Sequence, residues 1–245
     1  MVYGGVCGFS NNALFSDLEK YEAEVIPVLT AILSKTAKPV IIDVGANNGQ
    51  WMILFKALSK NASVHCFEPF PQLCEFLREL VARNSFQGVE ISKKLLGEIS
   101  ETGELHFADL AMDVASTVAD FQPDYNKTIR VEKLTIDDYV EDRKIEKIHL
   151  IKIDVEGGEL EVLTGAQKVL SKMQPYLLLE LLYTENERHL QRQKTVEKLL
   201  KNLGYEFYHI GEKGALYQQD VVAPDPTYTY LNYIVSPSTL TFHRP

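Results

Sequence analysis

Along the chain, short apolar runs alternate with stretches whose apolar positions recur at helical spacing. Residues 40–44, 64–67 and 89–93 are runs of strand length. The spacing between them predicts helices over residues 50–58 and 71–84, the second opening on Pro71, a residue suited to a first helical turn. Residues 148–153 and 176–182 read as the next two strands, and the second is nearly all apolar, as a central parallel strand covered on both faces should be. One amphipathic helix is expected between them, with Leu160, Leu163, Ala166, Val169 and Leu170 on one side. Residues 187–203 form a helix that stops at Gly204. Residues 205–210 and 231–235 are a final strand pair joined by a long polar loop. Between residues 93 and 148 the pattern is irregular: 104–107 and 128–133 are short extended pieces, and Thr135 starts a short helix.

At the N-terminal end, residues 1–13 lack periodicity. Ser16-Asp17-Leu18-Glu19 has the form of a capping box, and Leu18, Val25, Val28, Leu29, Ile32 and Leu33 follow as a helical stripe, kinked or restarted at Pro27. This gives an arm and helical cap over residues 1–37 and one α/β domain over 38–245. Alternating strands and helices imply a Rossmann-like, doubly wound, mostly parallel sheet. A last strand pair joined without a helix implies an antiparallel hairpin at one edge.

Composition narrows the class. At 245 residues, with 45% hydrophobic and 24% charged positions, the chain is long enough for one large core. A net charge of −9 argues against nucleic acid or an anionic membrane as main partner, and no apolar run reaches the length of a membrane span. No basic-then-apolar leader follows Met1, and Cys7, Cys66 and Cys74 lack metal-ligand spacing. A cytoplasmic protein with reduced thiols is expected.

The chemistry sits at two strand ends. Asp43-Val44-Gly45-Ala46-Asn47-Asn48-Gly49 closes the first strand, and Phe67-Glu68-Pro69 closes the second. Gly45 and Gly49 allow a sharp turn and close approach to a ligand, and Asn47 tolerates unusual turn dihedrals. A pyrophosphate would be repelled by Asp43, whereas S-adenosylmethionine carries an ammonium and a sulfonium and no phosphate. Asp43 is therefore a candidate for the aminoacyl ammonium, directly or through water, and Glu68 for the ribose hydroxyls. Methyl transfer to an alcohol also needs a base. Asp154 and Glu156 flank the end of the 148–153 strand and Glu180 ends its neighbour, so any of the three can serve. Glu156 equally suits the role of a loop acid at the positive end of the next helix. Lys152, inside an apolar strand, is expected to pair with Asp43 or Glu180, with a catalytic role as the alternative. His189 is the histidine nearest the acceptor side. Tyr217, Tyr228 and Tyr230, in the loop over 211–230, either close over an acceptor or pack for stability. No dense metal motif accompanies these acids.

The ordered set Asp43–Gly49, Phe67-Glu68-Pro69, Leu134-Thr135-Ile136-Asp137-Asp138-Tyr139 and Ile151-Lys152-Ile153-Asp154-Val155-Glu156-Gly157-Gly158-Glu159-Leu160 resembles the FkbM-type methyltransferases, a class I S-adenosylmethionine-dependent family. Residues 162–166, Pro175 and Glu180 continue the likeness, which runs over roughly 38–237. The resemblance implies a seven-stranded sheet with a reversed last strand. It also implies O-methylation of a hydroxyl on a small-molecule, sugar, glycan or natural-product acceptor. Carried over by position, Asp43, Gly45, Ala46, Asn47 and Gly49 match the cofactor loop and Glu68, followed by Pro69, the ribose acid; Asp154 is expected beside the cofactor, as the base or as an orienting group near the methyl. Where the family has a small acidic turn after the third strand, residues 92–98 are basic and bulky, with Leu96 as the apolar candidate for adenine. A homodimer is left open. An NAD(P)-dependent oxidoreductase or a non-catalytic adenosyl-binding module on the same fold are the alternatives.

Overall fold

A computed structural model describes residues 22–108, 111–116, 126–181, 183–222 and 231–240. In chain order these form α1 (Val25–Leu33), β1 (Val40–Val44), α2 (Gln50–Leu58), β2 (Ser63–Phe67), α3 (Pro71–Arg83), β3 (Val89–Ser92) and β4 (Leu95–Leu96). Next come β5 (Thr102–Ala108), β6 (Ala111–Ser116), β7 (Lys127–Leu134), α4 (Ile136–Asp142), β8 (Leu150–Ile153), α5 (Glu159–Thr164) and α6 (Gln167–Met173). The chain continues as β9 (Tyr176–Glu180), α7 (Glu187–Asn202), β10 (Glu206–Ile210), β11 (Leu216–Gln219) and β12 (Asn232–Ser236).

The main sheet has eight strands in the order β11-β10-β12-β9-β8-β1-β2-β3. β3, β2, β1, β8 and β9 pair in parallel, and β12 runs antiparallel to both β9 and β10. The reversed last strand is thus present, inserted between β9 and β10, and its antiparallel pairing with β10 lies at one end of the sheet as expected, although the sheet has eight strands where seven were expected. The edge strand is β11, drawn from a segment expected to be loop, and it pairs antiparallel with β10.

Alternation along the strands sorts the core into two layers. Ile41, Leu150, Leu178 and Ile234 face the layer holding α1 and α2, while Ile42, Ile151, Leu177 and Val235 face the layer holding α4 to α7. The apolar stripe of α1 packs in the first layer. Pro27 lies in the first turn of α1, where its missing N–H has no intrahelical partner to lose, so it causes no kink. The capping box at residues 16–19 and Leu18 lie outside the described residues. The single helix expected after Gly158 is two, α5 and α6. A Cβ on Gly165 would lie 2.0 Å from the Gly97 carbonyl oxygen, so this turn is pressed against another segment. The Asp137 carboxylate accepts from the Lys168 and Val169 N–H groups and restarts the helix.

The irregular region is a second sheet, β4-β7-β5-β6. Leu95, Leu105, Phe107 and Val131 from this sheet pack on Phe70 and Leu73 at the start of α3. That contact sets the small sheet beside the carboxyl ends of β1 and β2. No helix among the described residues is long and apolar enough to cross a membrane.

Candidate active site

The turn after β1 is shaped by a backbone that only certain residues accept. Gly45 and Gly49 have φ of +73° and +82°, and Asn47 sits at φ 47°. A Cβ on Gly45 would lie 2.1 Å from the Asp154 carbonyl oxygen, so the turn and the end of β8 are in direct backbone contact. The Gly45 and Ala46 N–H groups donate to the Phe67 carbonyl at 3.1 and 3.0 Å, locking the turn to the end of β2.

Glu68 follows that strand end. Its Oε2 accepts from the Asn47 N–H and its Oε1 from the Phe70 N–H, both at 2.9 Å. Burial pushes its carboxyl up to about 7 against the pull of those two donors. Each oxygen keeps a further lone pair. Gly45, Asn47, Glu68, Pro69, Leu96, Asp154, Glu156 and Glu180 all line one cavity, closed on its apolar side by Phe67, Phe70, Leu95 and Leu105.

Three expected cofactor contacts lie elsewhere. Ala46 is packed in the core, and Gly49 starts α2 against Leu77 and Leu80. Asp43 is fully buried behind the turn and does not line the cavity. Burial pushes its carboxyl up to about 6, with Lys152 opposing the rise. Lys152 Nζ is 3.5 Å from Asp43 Oδ1 and 3.3 Å from Asp154 Oδ2. The expected pairing with Asp43 is therefore present, and the second carboxylate is Asp154 in place of Glu180.

A second cavity, of about 230 Å³, shares Asp154, Glu156 and Glu180 with the first and opens on their other side. Its remaining wall includes Tyr183, Thr184, His189, Arg192 and Gln193. Arg192 donates to the Gly157 carbonyl at 2.9 Å and pairs with Glu161, which fixes α7 against the turn ahead of α5. That turn is strained: Glu156 is at φ 51° and Gly157 at φ 87°. Burial and the charge of Asp154, to which it is hydrogen-bonded, push Glu180 up to about 9. A carboxyl–carboxylate hydrogen bond needs one proton, and this places it on Glu180 at neutral pH.

The three candidate bases thus meet at one wall between two cavities, at the carboxyl ends of adjacent parallel strands. A model of the methyltransferase FkbM domain matches residues 43–207 of this chain. The chain belongs to the FkbM methyltransferase family. Among similar curated proteins, 2-O-methyltransferase NoeI of Sinorhizobium fredii is 30% identical over 146 residues, covering 55% of this chain and 60% of NoeI. The 31-O-demethyl-FK506 methyltransferase FkbM of Streptomyces tacrolimicus is 26% identical over 159 residues, covering 52% and 59%. The chain spans less than two thirds of the length of these relatives. The crystal structure of methyltransferase FkbM from Methylobacillus flagellatus has the same fold, with a TM-score of 0.54 and 15% identity over 82% of this chain and 44% of that one.

Some residues around this FkbM-family site carry no local signal in the sequence. Glu22, ahead of α1, binds Asn232 Nδ2 through Oε2 at 2.5 Å, and Asn232 is the register partner of Glu180. Burial and Glu24 push Glu22 up to about 8. His189 reaches the second cavity, as its place after β9 suggested. Tyr217 does not: it stands on β11, half exposed, beside His209. Tyr228 and Tyr230 lie outside the described residues.

Proposed function

We propose that this chain is an S-adenosylmethionine-dependent O-methyltransferase acting on a hydroxyl of a sugar, glycan or natural-product acceptor. The observation that carries the proposal is the pair of cavities meeting at Asp154, Glu156 and Glu180. The names of NoeI and of the Streptomyces FkbM protein support an oxygen acceptor.

The first cavity suits the cofactor on three counts. Gly45 and Asn47 line it on the turn after β1, where Gly45 presents backbone with no side chain in the way. Glu68 offers two carboxylate oxygens to a diol, and Leu96 and Leu105 offer apolar surface to a purine. Its described lining carries four acidic side chains against one lysine, Lys94, and even with Glu180 protonated the balance favours a cationic ligand over a pyrophosphate.

When bound, S-adenosylmethionine supplies a methyl group on a positively charged sulfur, a good leaving group. Residues of this chain do the rest. Glu68 holds the ribose end and the turn from Gly45 to Asn47 seats the aminoacyl end. Tyr183, Gln193 and Arg192 orient the acceptor in the second cavity. Asp154 takes the hydroxyl proton as the new carbon–oxygen bond forms. Glu180 already holds a proton at neutral pH and so orients Asp154 instead of acting as the base. Glu156 lines both cavities and remains available to align the hydroxyl.

Incubation with methyl-labelled S-adenosylmethionine and a panel of sugars, glycans and hydroxylated natural products tests this directly. Label transferred to an acceptor oxygen, and lost in Asp154→Asn, is the expected result. A protein that binds the cofactor yet transfers label to none of the panel refutes the acceptor class.

A further inference from the structure

We propose that Lys152 is a positioning residue for this methyl transfer, a single ammonium that ties the cofactor turn to the Asp154 carboxylate. The inference rests on the methyltransferase proposal above. Lys152 is 1% exposed, inside β8, and its shortest contact is not a carboxylate. Nζ donates to the Gly45 carbonyl at 2.8 Å and to the Val44 carbonyl at 3.3 Å. Asp154 Oδ2 follows at 3.3 Å and Asp43 Oδ1 at 3.5 Å. The Trp51 ring closes the remaining side, 5.9 Å away at its centroid.

A lysine present only to neutralise Asp43 would make that carboxylate its shortest contact. Here Asp43 Oδ1, at 3.5 Å, stands farther from Nζ than the Gly45 carbonyl or Asp154 Oδ2, and the ammonium leans toward the turn and toward Asp154. It sits where Gly45 and Asp154 already touch through their backbones. Around Asp154 stand Glu180 on β9, Glu22 ahead of α1, Asp43 on β1, Glu159 on α5 and Glu156 on its own turn, with Arg192 from α7 facing Glu159. Among so many acids, the proton of the Asp154–Glu180 pair needs a nearby cation to hold it on Glu180. Lys152 Nζ faces Asp154 Oδ2 at 3.3 Å, and this ammonium helps keep the pair's proton on Glu180. Burial opposes a charge on Lys152, but Asp154 and Asp43 outweigh it and hold the ammonium protonated.

The decisive comparison is Asp43→Asn against the Asp43→Asn, Lys152→Met double variant, which replaces the buried pair by neutral groups of similar size. Calorimetry with S-adenosylhomocysteine reads the turn, and carboxyl carbon-13 NMR reads the titration of the Asp154–Glu180 pair. Relative to Asp43→Asn, the double variant is expected to bind S-adenosylhomocysteine about tenfold more weakly. Its lower carboxyl titration step should move up by about one pH unit or more. A double variant matching Asp43→Asn in either readout overturns the coupling. Should circular dichroism show the double variant unfolded, the wild-type spectrum decides: the shared proton on Glu180 at neutral pH supports the role, and the proton on Asp154 overturns it. Absence of S-adenosylhomocysteine binding by wild type would instead defeat the methyltransferase proposal, leaving the carboxyl titration to read Lys152 independently.

Discussion

Gly45→Ala sets a methyl group where the structure has no room for one. The new Cβ would lie 2.1 Å from the Asp154 carbonyl oxygen, and that gap must open by about 1 Å before the contact is tolerable. The obstacle is backbone, so no side chain can swing aside. An alanine at φ +73° costs about 1–2 kcal/mol in the left-handed region. Displacing Asp154 endangers its N–H bond to the Val44 carbonyl, now 3.3 Å, worth about 1 kcal/mol. Overpacking of the surroundings adds about 1–3 kcal/mol. The expected loss is therefore about 3–6 kcal/mol, a large share of the stability of an ordinary domain. Gly204→Ala supplies the control. Gly204 has φ +83° but nothing within 4 Å of its would-be Cβ, so only the conformational cost of about 1–2 kcal/mol applies. Urea unfolding of both variants reads the difference, and S-adenosylhomocysteine binding should fail in Gly45→Ala alone. Equal losses within about 0.5 kcal/mol would refute the close approach of the turn to β8.

Three other perturbations follow from the same geometry. Glu68→Gln sets an amide NH2 against one of two buried N–H donors, so it should lose about 1–3 kcal/mol of stability and weaken S-adenosylhomocysteine binding; unchanged urea midpoint and affinity would count against the Glu68 assignment. Burial raises the carboxyls of Asp43 to about 6 and Glu68 to about 7, so between the unfolded values near 4 and these the native state holds more protons. Their stabilisation is complete below about pH 4 and lost as pH rises through 6 and 7; urea midpoints should fall from about pH 5 to about pH 8, less steeply in Glu68→Gln, and a rise would contradict the burial. Asp137→Ala removes the acceptor for the Lys168 and Val169 N–H groups and should cost about 1 kcal/mol in thermal unfolding, whereas a neutral result would mean that α6 starts without its cap.

Local pattern carried far in this chain. β1 and α2 fall where apolar runs and helical spacing set them, because both elements are amphipathic or apolar over their own length. Lys152 was visible as a cation in an otherwise apolar run, and so was its need for a partner, but which carboxylates supply it depends on the register between β1 and β8. The break between α5 and α6 was not legible, since it arises where Gly165 meets Gly97, far away in sequence. β11 escaped for a related reason: Leu-Tyr-Gln-Gln has no apolar alternation, and backbone pairing with β10 makes it a strand. Glu22 and Arg192 reach the site only through tertiary packing, and nothing in their own neighbourhoods marks them.

Calorimetric titration of the purified protein with S-adenosylmethionine and S-adenosylhomocysteine, beside NAD and NADP, bears most directly on the cofactor and hence on all the chemistry built on it. Saturable binding of both adenosyl ligands at one site, lost in Gly45→Ala and absent for the two dinucleotides, is the predicted result. Folded protein that takes up neither adenosyl ligand, or that prefers a dinucleotide, would contradict it and remove the roles given to Glu68 and Asp154.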